Sequence, residues 1–452
     1  MVFARTSSTN PADLGVTDAG SALRGRELSS RELVEACLMR IHDRDGAHSR
    51  EGDPESINAW VRVYEEDALA AAERADERLA GGDAPPLCGI PIALKDLYAV
   101  AGKPLTASSR LLDEVPARDC DAWARLAAEG MVLLGHVHTH EFAAGGTTDQ
   151  VGNPWGLELS PGGSSGGSAA ALASCTVPAA TGTDTAGSLR IPSAMCGTST
   201  VKPGRGAVSM RGIVPLSWTL DHAGPMARSV LDCEPLLAAM AGVVPPSSRR
   251  AVERVAVSPR IGDLDPDVAD GLDAALRSLA AKQVAAEPPD APLDLGMEFV
   301  DVLCQDMLVY HRRFDDRREL YRPSIVGFLE HAEQRAMTGE EYVTAQARRL
   351  EAAGAWADWF AEHRIDAVIE PTVPIVAHPR GTGYDEAFTD FAEISLTHYW
   401  DWIGFPVVAL PSGVGRRSGL PTSVSLIGPP GGEWDLLAAG AALQDELGTV
   451  SP

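Results

Sequence analysis

Two glycine-rich runs contain serines that could act as catalytic residues. The runs cover residues 161–168 and 182–188. Glycine leaves the backbone free to turn several N–H groups toward one point. Small residues before Ser188 let such groups converge beside its hydroxyl, as an oxyanion hole requires. The two runs therefore predict an active site built on backbone amides.

A lysine upstream of these runs is the candidate base. Lys95 ends the apolar run 90–94, so its amine is expected in dry surroundings. An ammonium removed from water loses its proton more easily, and a neutral lysine can act as a base near pH 7. Serine, serine and lysine together indicate acyl transfer without a catalytic histidine.

Two opposite charges flank the second run. Asp184 precedes the turn and Arg190 follows it. We expect them to pair and to hold the turn in place, which is a structural role rather than a catalytic one.

Alternating helix and strand patterns indicate the elements that must position these residues. We expect helices at 65–79, 121–130 and 168–173, and strands at 90–94 and 131–135. This alternation predicts an α/β fold with a mixed, largely parallel central sheet covered by helices on both faces. The prediction is one large domain, 1–452, with a catalytic core at 85–235 and a peripheral, mostly helical region at 240–360.

Composition excludes several classes of function. The formal net charge is −25, which disfavours nucleic acid and anionic membranes as partners and favours a small neutral substrate. The first residues lack the apolar stretch of a signal peptide, and no run is long and apolar enough to span a membrane. Seven scattered cysteines without a C-x-x-C pair are typical of reduced thiols, so we expect a cytoplasmic protein.

Further motifs in a fixed order make the chain resemble a known family, the amidase signature hydrolases. Besides both glycine-rich runs, they lie at 89–96, 141–149, 152–155, 201–203, 220–228 and 419–421. The resemblance covers most of the chain and is weak only between about 240 and 360.

The resemblance implies a role for each candidate residue. Ser188 would be the nucleophile, Ser164 a bridging serine in cis peptide linkage, and Lys95 the base. The 24 positions from Ser164 to Ser188 match the family pattern. The implied oxyanion donors are the backbone N–H groups of Thr185, Ala186, Gly187 and Ser188. No cofactor or metal is implied. The residues alone do not choose Ser164 over Ser165, and the choice rests on the resemblance.

Aromatic side chains are the candidates for the substrate pocket. The set consists of Trp155, Trp218, Tyr399, Trp400 and Trp402. Binding sites for small molecules are mostly apolar, so these residues indicate a bulky hydrophobic substrate. Aryl amides, anilides and carbamates are the candidate substrates, since the same acyl-enzyme chemistry cleaves a carbamate carbonyl.

Four alternatives stay open at this stage. His136, His138 and His140 alternate and so share one face of a strand, which would suit a metal-dependent hydrolase. The A subunit of glutamyl-tRNA(Gln) amidotransferase resembles the same enzymes and acts as a glutaminase within a complex. A binding protein that keeps the scaffold is a non-enzymatic alternative. A homodimer is also open.

Overall fold

A sheet of eleven strands runs through the computed structural model, which describes residues 10–381, 383–389 and 391–452. Residues 1–9, where the sequence predicts no signal peptide, lie outside this description. The strands in chain order are β1 (Trp60–Val63), β2 (Pro91–Lys95), β3 (Val132–Val137), β4 (Ala179–Asp184), β5 (Ser199–Lys202), β6 (His222–Ala227), β7 (Arg254–Val257), β8 (Lys282–Gln283), β9 (Ala367–Pro371), β10 (Val407–Val414) and β11 (Pro421–Ile427).

The strand order across the sheet is β1-β3-β2-β4-β6-β5-β10-β11-β9-β7-β8. Of the ten strand pairs among the described residues, four are parallel and six antiparallel. The predicted α/β fold with a mixed sheet is confirmed, but the expected predominance of parallel pairs is not found. Antiparallel strands such as β10 and β11 need only a short connection, here 415–420, whereas parallel strands need a crossover.

Helices flank the sheet. They are α1 (Val16–Gly25), α2 (Ser30–Arg44), α3 (Glu65–Gly81), α4 (Asp121–Ala128), α5 (Gly166–Ala173), α6 (Arg190–Cys196), α7 (Val230–Ala241), α8 (Pro266–Ser278), α9 (Met297–His311), α10 (Pro323–Arg335), α11 (Gly339–His363), α12 (Phe391–Ile394), α13 (His398–Ile403) and α14 (Glu433–Leu447). Within the described residues, no helix is both long and apolar enough to cross a bilayer.

Local sequence explains where several helices begin and end. The Ser29 hydroxyl caps α2 and Glu32 returns the bond to the Ser29 backbone, which completes a capping box. Helix α3 ends at Gly82, whose φ of 82° is a left-handed conformation that glycine adopts without strain.

Strands β2 and β4 place the two predicted site segments at one edge of the sheet. They are parallel neighbours, and every residue in both is buried. Burial along a whole strand means that both faces of the sheet are covered there. Because parallel strands end at the same edge, Lys95 and Asp184 both lie at this edge, where β4 leads through the second serine run into α6.

The 240–360 segment is less peripheral than the sequence indicates. It contributes β7 and β8 to one edge of the sheet, in addition to the expected helices. Its helices α9 and α10 also reach the cavity described below. The division into a catalytic core at 85–235 and a peripheral region at 240–360 stays a prediction.

Candidate active site

Lys95 is fully buried at the end of β2 and is surrounded by hydroxyl groups. Its Nζ lies 2.8 Å from Ser164 Oγ, 2.9 Å from Ser165 Oγ and 2.9 Å from Thr183 Oγ1. Burial lowers the pKa of Lys95 to about 7, although the nearby carboxylates of Asp184 and Asp221 act in the opposite direction. The amine is therefore able to exchange a proton with a serine near neutral pH.

Ser164 is held against Lys95 by its backbone. The Gly163–Ser164 peptide bond is cis, as the resemblance implies. The Ser164 carbonyl accepts hydrogen bonds from the His140 N–H at 3.0 Å and the Thr148 hydroxyl at 3.2 Å. A side chain at Gly163 would collide with the Thr147 carbonyl oxygen, since a Cβ built there lies 2.0 Å from it. The loop can thus approach this closely only with glycine at position 163.

Ser188 closes the turn between β4 and α6 beside these groups. Its carbonyl accepts the Ser165 N–H at 3.3 Å, which ties the two serine runs together. Ser188 is 6% exposed and is one of the residues that line a cavity. Lys95, Ser164 and Ser188 therefore lie in one site, with Lys95 in direct contact with Ser164.

The turn before Ser188 is anchored on both sides of one peptide unit. Thr397 Oγ1 donates to the Ala186 carbonyl, and Asp184 Oδ1 accepts the Gly187 N–H at 2.6 Å. Gly187 has a φ of 132°, and a Cβ there would lie 2.3 Å from Thr397 Oγ1. The prediction for Gly187 needs correction, because its N–H is already committed to a carboxylate. The N–H groups of Thr185, Ala186 and Ser188 stay the predicted oxyanion donors.

Asp184 and Arg190 form the expected ion pair beneath this turn, with two guanidinium nitrogens on the two carboxylate oxygens. Arg190 Nε lies 2.9 Å from Asp184 Oδ2, and one terminal nitrogen lies 3.0 Å from Oδ1. The same guanidinium contacts the Asp401 carboxylate and donates to the Thr397 carbonyl at 3.0 Å. All three charged side chains are buried, so they compensate one another away from water.

The cavity beside Ser188 is narrow and apolar. The space open to water within it is about 40 Å³. Its lining residues are Ala143, Ala144, Gly145, Gly146, Thr185, Ala186, Ser188, Ile191, Leu216, Phe299, Val300, Leu303, Met307, Phe328, Phe388, Phe391 and Ile394. None of these carries a charge. The arrangement suits an apolar group held next to the serine hydroxyl.

None of the five aromatics predicted for the pocket lines this cavity. Trp400 and Tyr399 are fully buried, where Trp400 donates to Glu370 and the Tyr399 hydroxyl accepts from Trp356. Trp402 is also buried, Trp155 donates to the Cys196 carbonyl at 3.0 Å, and Trp218 is 58% exposed. Helix α13 faces the core, and this packing turns its aromatics away from Ser188.

Four phenylalanines line the cavity instead of the predicted tryptophans and tyrosine. They are Phe299 on α9, Phe328 on α10, Phe388, and Phe391 at the start of α12. A signal for α9 exists in the sequence, where Phe299, Leu303 and Met307 recur at helical spacing. That pattern predicts a buried helix face, but it does not reveal that the face lines a site.

The three alternating histidines have separate partners. His136 contacts the Tyr64 hydroxyl at 2.8 Å and the Tyr98 carbonyl at 3.0 Å. His138 contacts the Ser108 hydroxyl at 3.1 Å, and His140 the Thr147 carbonyl at 3.1 Å. Across the described part of the chain, no three His, Cys, Asp or Glu side chains are grouped to hold a metal ion. The geometry therefore does not support the metal-dependent alternative.

Comparisons with known proteins agree with the motifs. The family model described as Amidase matches residues 33–437. An amidase of Pseudomonas putida is 36% identical, and the alignment covers 95% of each chain. The A subunit of glutamyl-tRNA(Gln) amidotransferase from Roseiflexus sp. (strain RS-1) is 34% identical, over 95% of this chain and 96% of that protein.

A solved structure shows the same likeness in three dimensions. The structure of 6-aminohexanoate cyclic dimer hydrolase superimposes with a TM-score of 0.83 and 26% identity, over 97% of this chain and 98% of that one. Since the family model matches most of the chain, and both curated relatives are more than 30% identical over nearly their whole length, the chain belongs to the Amidase family, the amidase signature hydrolases of amide C–N bonds.

Proposed function

We propose that this protein hydrolyses an amide of a bulky, apolar carboxylic acid through an acyl-enzyme on Ser188. The observation that carries the proposal is the buried Lys95 amine, 2.8 Å from Ser164 Oγ and with a pKa of about 7. Lys202 is also buried with a pKa of about 7, but Lys95 is the lysine whose amine contacts Ser164, so that contact and the lowered pKa together support proton transfer to and from a serine.

The proposed reaction moves one proton along a short relay. Neutral Lys95 takes the Ser164 hydroxyl proton while Ser164 takes the Ser188 proton, and Ser188 Oγ bonds to the substrate carbonyl carbon. The oxyanion is stabilised by the N–H groups of Thr185, Ala186 and Ser188. The proton returns through Ser164 to the leaving nitrogen as the C–N bond breaks. Water then attacks the ester by the same relay, which releases the acid and restores Ser188.

The apolar cavity supports the substrate class. An aromatic or long aliphatic acyl group would lie among Phe299, Leu303, Met307 and Phe328 without an unpaired polar group, once these side chains move apart to enlarge the open space of about 40 Å³. Amides and anilides of aromatic or long aliphatic acids are therefore the proposed substrates. A carbamate is an additional proposal, because its carbonyl is open to the same attack. We further propose that the protein acts in the cytoplasm.

A second candidate function is supply of ammonia from glutamine within an amidotransferase complex. The 34% identity to the Roseiflexus amidotransferase protein supports it. The uncharged lining beside Ser188 favours the first candidate, since free glutamine carries an ammonium and a carboxylate that need polar partners. A glutaminase assay with and without partner subunits distinguishes the two.

The proposal is tested with a panel of chromogenic anilides, aryl carbamates, esters and small aliphatic amides. We expect turnover of the aromatic acyl substrates, and a stable covalent adduct on Ser188 detected by mass spectrometry with a slow carbamate. Ser188→Ala should abolish both, and metal chelators should change neither. Substantial turnover by Ser188→Ala would show that Ser188 is not the nucleophile.

A further inference from the structure

A second buried carboxylate lies behind the turn that leads to Ser188. Asp221 accepts the Thr185 hydroxyl at 2.6 Å, the Leu216 N–H at 3.0 Å and the Ser217 N–H at 3.1 Å. It is not among the residues that line the cavity, whereas Thr185 and Leu216 both are. Asp221 therefore does not contact a substrate in the cavity directly, and it can affect the substrate only through residues such as Thr185 and Leu216.

Helix α9 fixes the segment that presents Asp221. Asp306 on this helix accepts hydrogen bonds from the Ser217 hydroxyl at 2.6 Å, the Thr219 hydroxyl at 2.8 Å and the Tyr342 hydroxyl at 2.6 Å. Asp306 is 6% exposed. The 216–221 segment is therefore bonded to Asp306 on α9 and, within itself, to Asp221. These bonds fix the position of Asp221 relative to the cavity wall.

The hydrogen bond from the Thr185 hydroxyl to Asp221 adds a further contact that orients the turn before Ser188. The peptide unit between Ala186 and Gly187 is already fixed by Thr397 and Asp184. The preceding unit carries the Ala186 N–H, and its direction follows from the backbone angles of Thr185. Threonine is stiff at χ1, so a fixed hydroxyl restricts the backbone to which it is attached.

We propose that Asp221 is a positioning residue, which orients the N–H groups before Ser188 through its hydrogen bond with the Thr185 hydroxyl. This inference rests on the proposed function, because it takes Ser188 as nucleophile and the adjacent N–H groups as oxyanion donors. Loss of the hydrogen bond weakens transition-state stabilisation more than substrate binding, since the oxyanion forms only during reaction.

The test measures kcat and KM on the best anilide of the panel for Thr185→Val, Thr185→Ser, Asp221→Ala and the double variant Thr185→Val/Asp221→Ala. We expect Thr185→Val and Asp221→Ala to lower kcat about 10- to 100-fold with little change in KM. Thr185→Ser keeps the hydroxyl and should retain nearly the wild-type kcat. The double variant should be no slower than the slower single variant, because both changes remove the same contact.

A matched control separates this role from loss of any buried threonine hydroxyl. Thr200 is fully buried on β5 and donates to the Pro225 carbonyl at 2.8 Å. Thr200→Val should lower the unfolding temperature without changing kcat. The proposal is overturned if Thr185→Val keeps the wild-type kcat, if Thr185→Ser is as slow as Thr185→Val, or if the two single effects multiply in the double variant.

Failure of this inference differs from failure of the proposed function. If only this inference fails, Ser188→Ala is inactive but the Thr185 variants or the double variant give one of the contrary results named above. If the proposed function fails, Ser188→Ala itself retains activity.

Discussion

Burial turns Lys95 from a cation into a base. Two carboxylates, Asp184 and Asp221, favour the charged amine, but desolvation outweighs them and holds the pKa at about 7. A neutral amine has two N–H donors and one lone pair, which matches its three hydroxyl neighbours as two acceptors and one donor. The proposed relay assigns the donor role to Ser164.

The first prediction concerns pH. Lys95 is protonated below its pKa of about 7 and cannot accept a proton there, so kcat/KM should fall about tenfold per pH unit below pH ~7 and level off above it. A pH–rate profile on an anilide checks this. Burial also raises the Asp221 pKa to about 7, so the profile is repeated with Asp221→Asn. A rise that persists in that variant, moved to lower pH because Asp221 no longer favours the charged amine, would assign it to Lys95, and a purely acidic optimum would contradict the assignment.

The second prediction separates the two adjacent serines. Lys95 Nζ is almost equally close to Ser164 and Ser165, so distance alone does not choose the relay. If Ser164 carries the proton, Ser164→Ala should lower kcat about 10³-fold, within the usual range for loss of proton transfer. Ser165→Ala should cost about tenfold or less. Single-turnover rates for both variants measure this, and the reverse order would assign the relay to Ser165.

Two helices from the segment without recognisable motifs make one wall of the cavity beside Ser188. Helix α9 contributes Phe299, Val300, Leu303 and Met307, and α10 contributes Phe328. The open space between this wall and Ser188 is only about 40 Å³, so side-chain volume along α9 decides which acyl groups enter.

The third prediction follows from that geometry. Leu303→Trp adds volume within the cavity. It should raise KM about tenfold or more for the anilide with the bulkiest aromatic acyl group, and should affect a small aliphatic amide less. Val309→Trp is the matched control, because Val309 is 54% exposed on the same helix. Steady-state kinetics with a series of acyl sizes makes the comparison. Equal losses for all sizes would contradict the assignment of this cavity to the acyl group.

A buried ion network joins distant parts of the whole molecule at the site. Asp184 and Arg190 flank the turn that carries Ser188, and Asp401 on α13 lies 211 positions after Arg190. The three charges are fully or almost fully removed from water. Removing the cation would leave the buried carboxylates of Asp184 and Asp401 without the guanidinium that they share, which costs far more than loss of an exposed pair.

The fourth prediction concerns stability. Arg190→Met should lower the free energy of unfolding by about 3–5 kcal/mol. Arg211→Met is the control, since Arg211 pairs with Asp121 with its side chain 84% exposed, and it should cost about 1 kcal/mol or less. Urea unfolding followed by tryptophan fluorescence measures both. Similar midpoints for the two variants would show that the buried network does not stabilise the fold.

Local sequence was sufficient for several of the elements, and for the candidate catalytic residues except the choice of Ser164 over Ser165, which rests on the resemblance. The helices at 65–79 and 121–130 and the strand at 90–94 were located to within a few residues, because caps, glycine stops and apolar runs act over short distances. Sequence motifs predicted the positions of Lys95 and Ser188 for the same reason. The structure brings Lys95 Nζ into contact with Ser164 Oγ and joins the two serine runs through the Ser165 N–H and the Ser188 carbonyl.

Long-range packing decided what surrounds those residues. The sequence near Gly187 does not indicate that Thr397 anchors this peptide, because Thr397 lies 211 positions after Ala186. The predicted aromatics of α13 face the core, and phenylalanines from α9, α10 and 388–391 line the cavity instead. A helical pattern shows which face is buried but not what it is buried against, because that depends on how distant elements pack. The sequence by itself therefore determined the motif positions and the chemistry that they predict, and only the tertiary structure decided the shape and lining of the candidate acyl cavity.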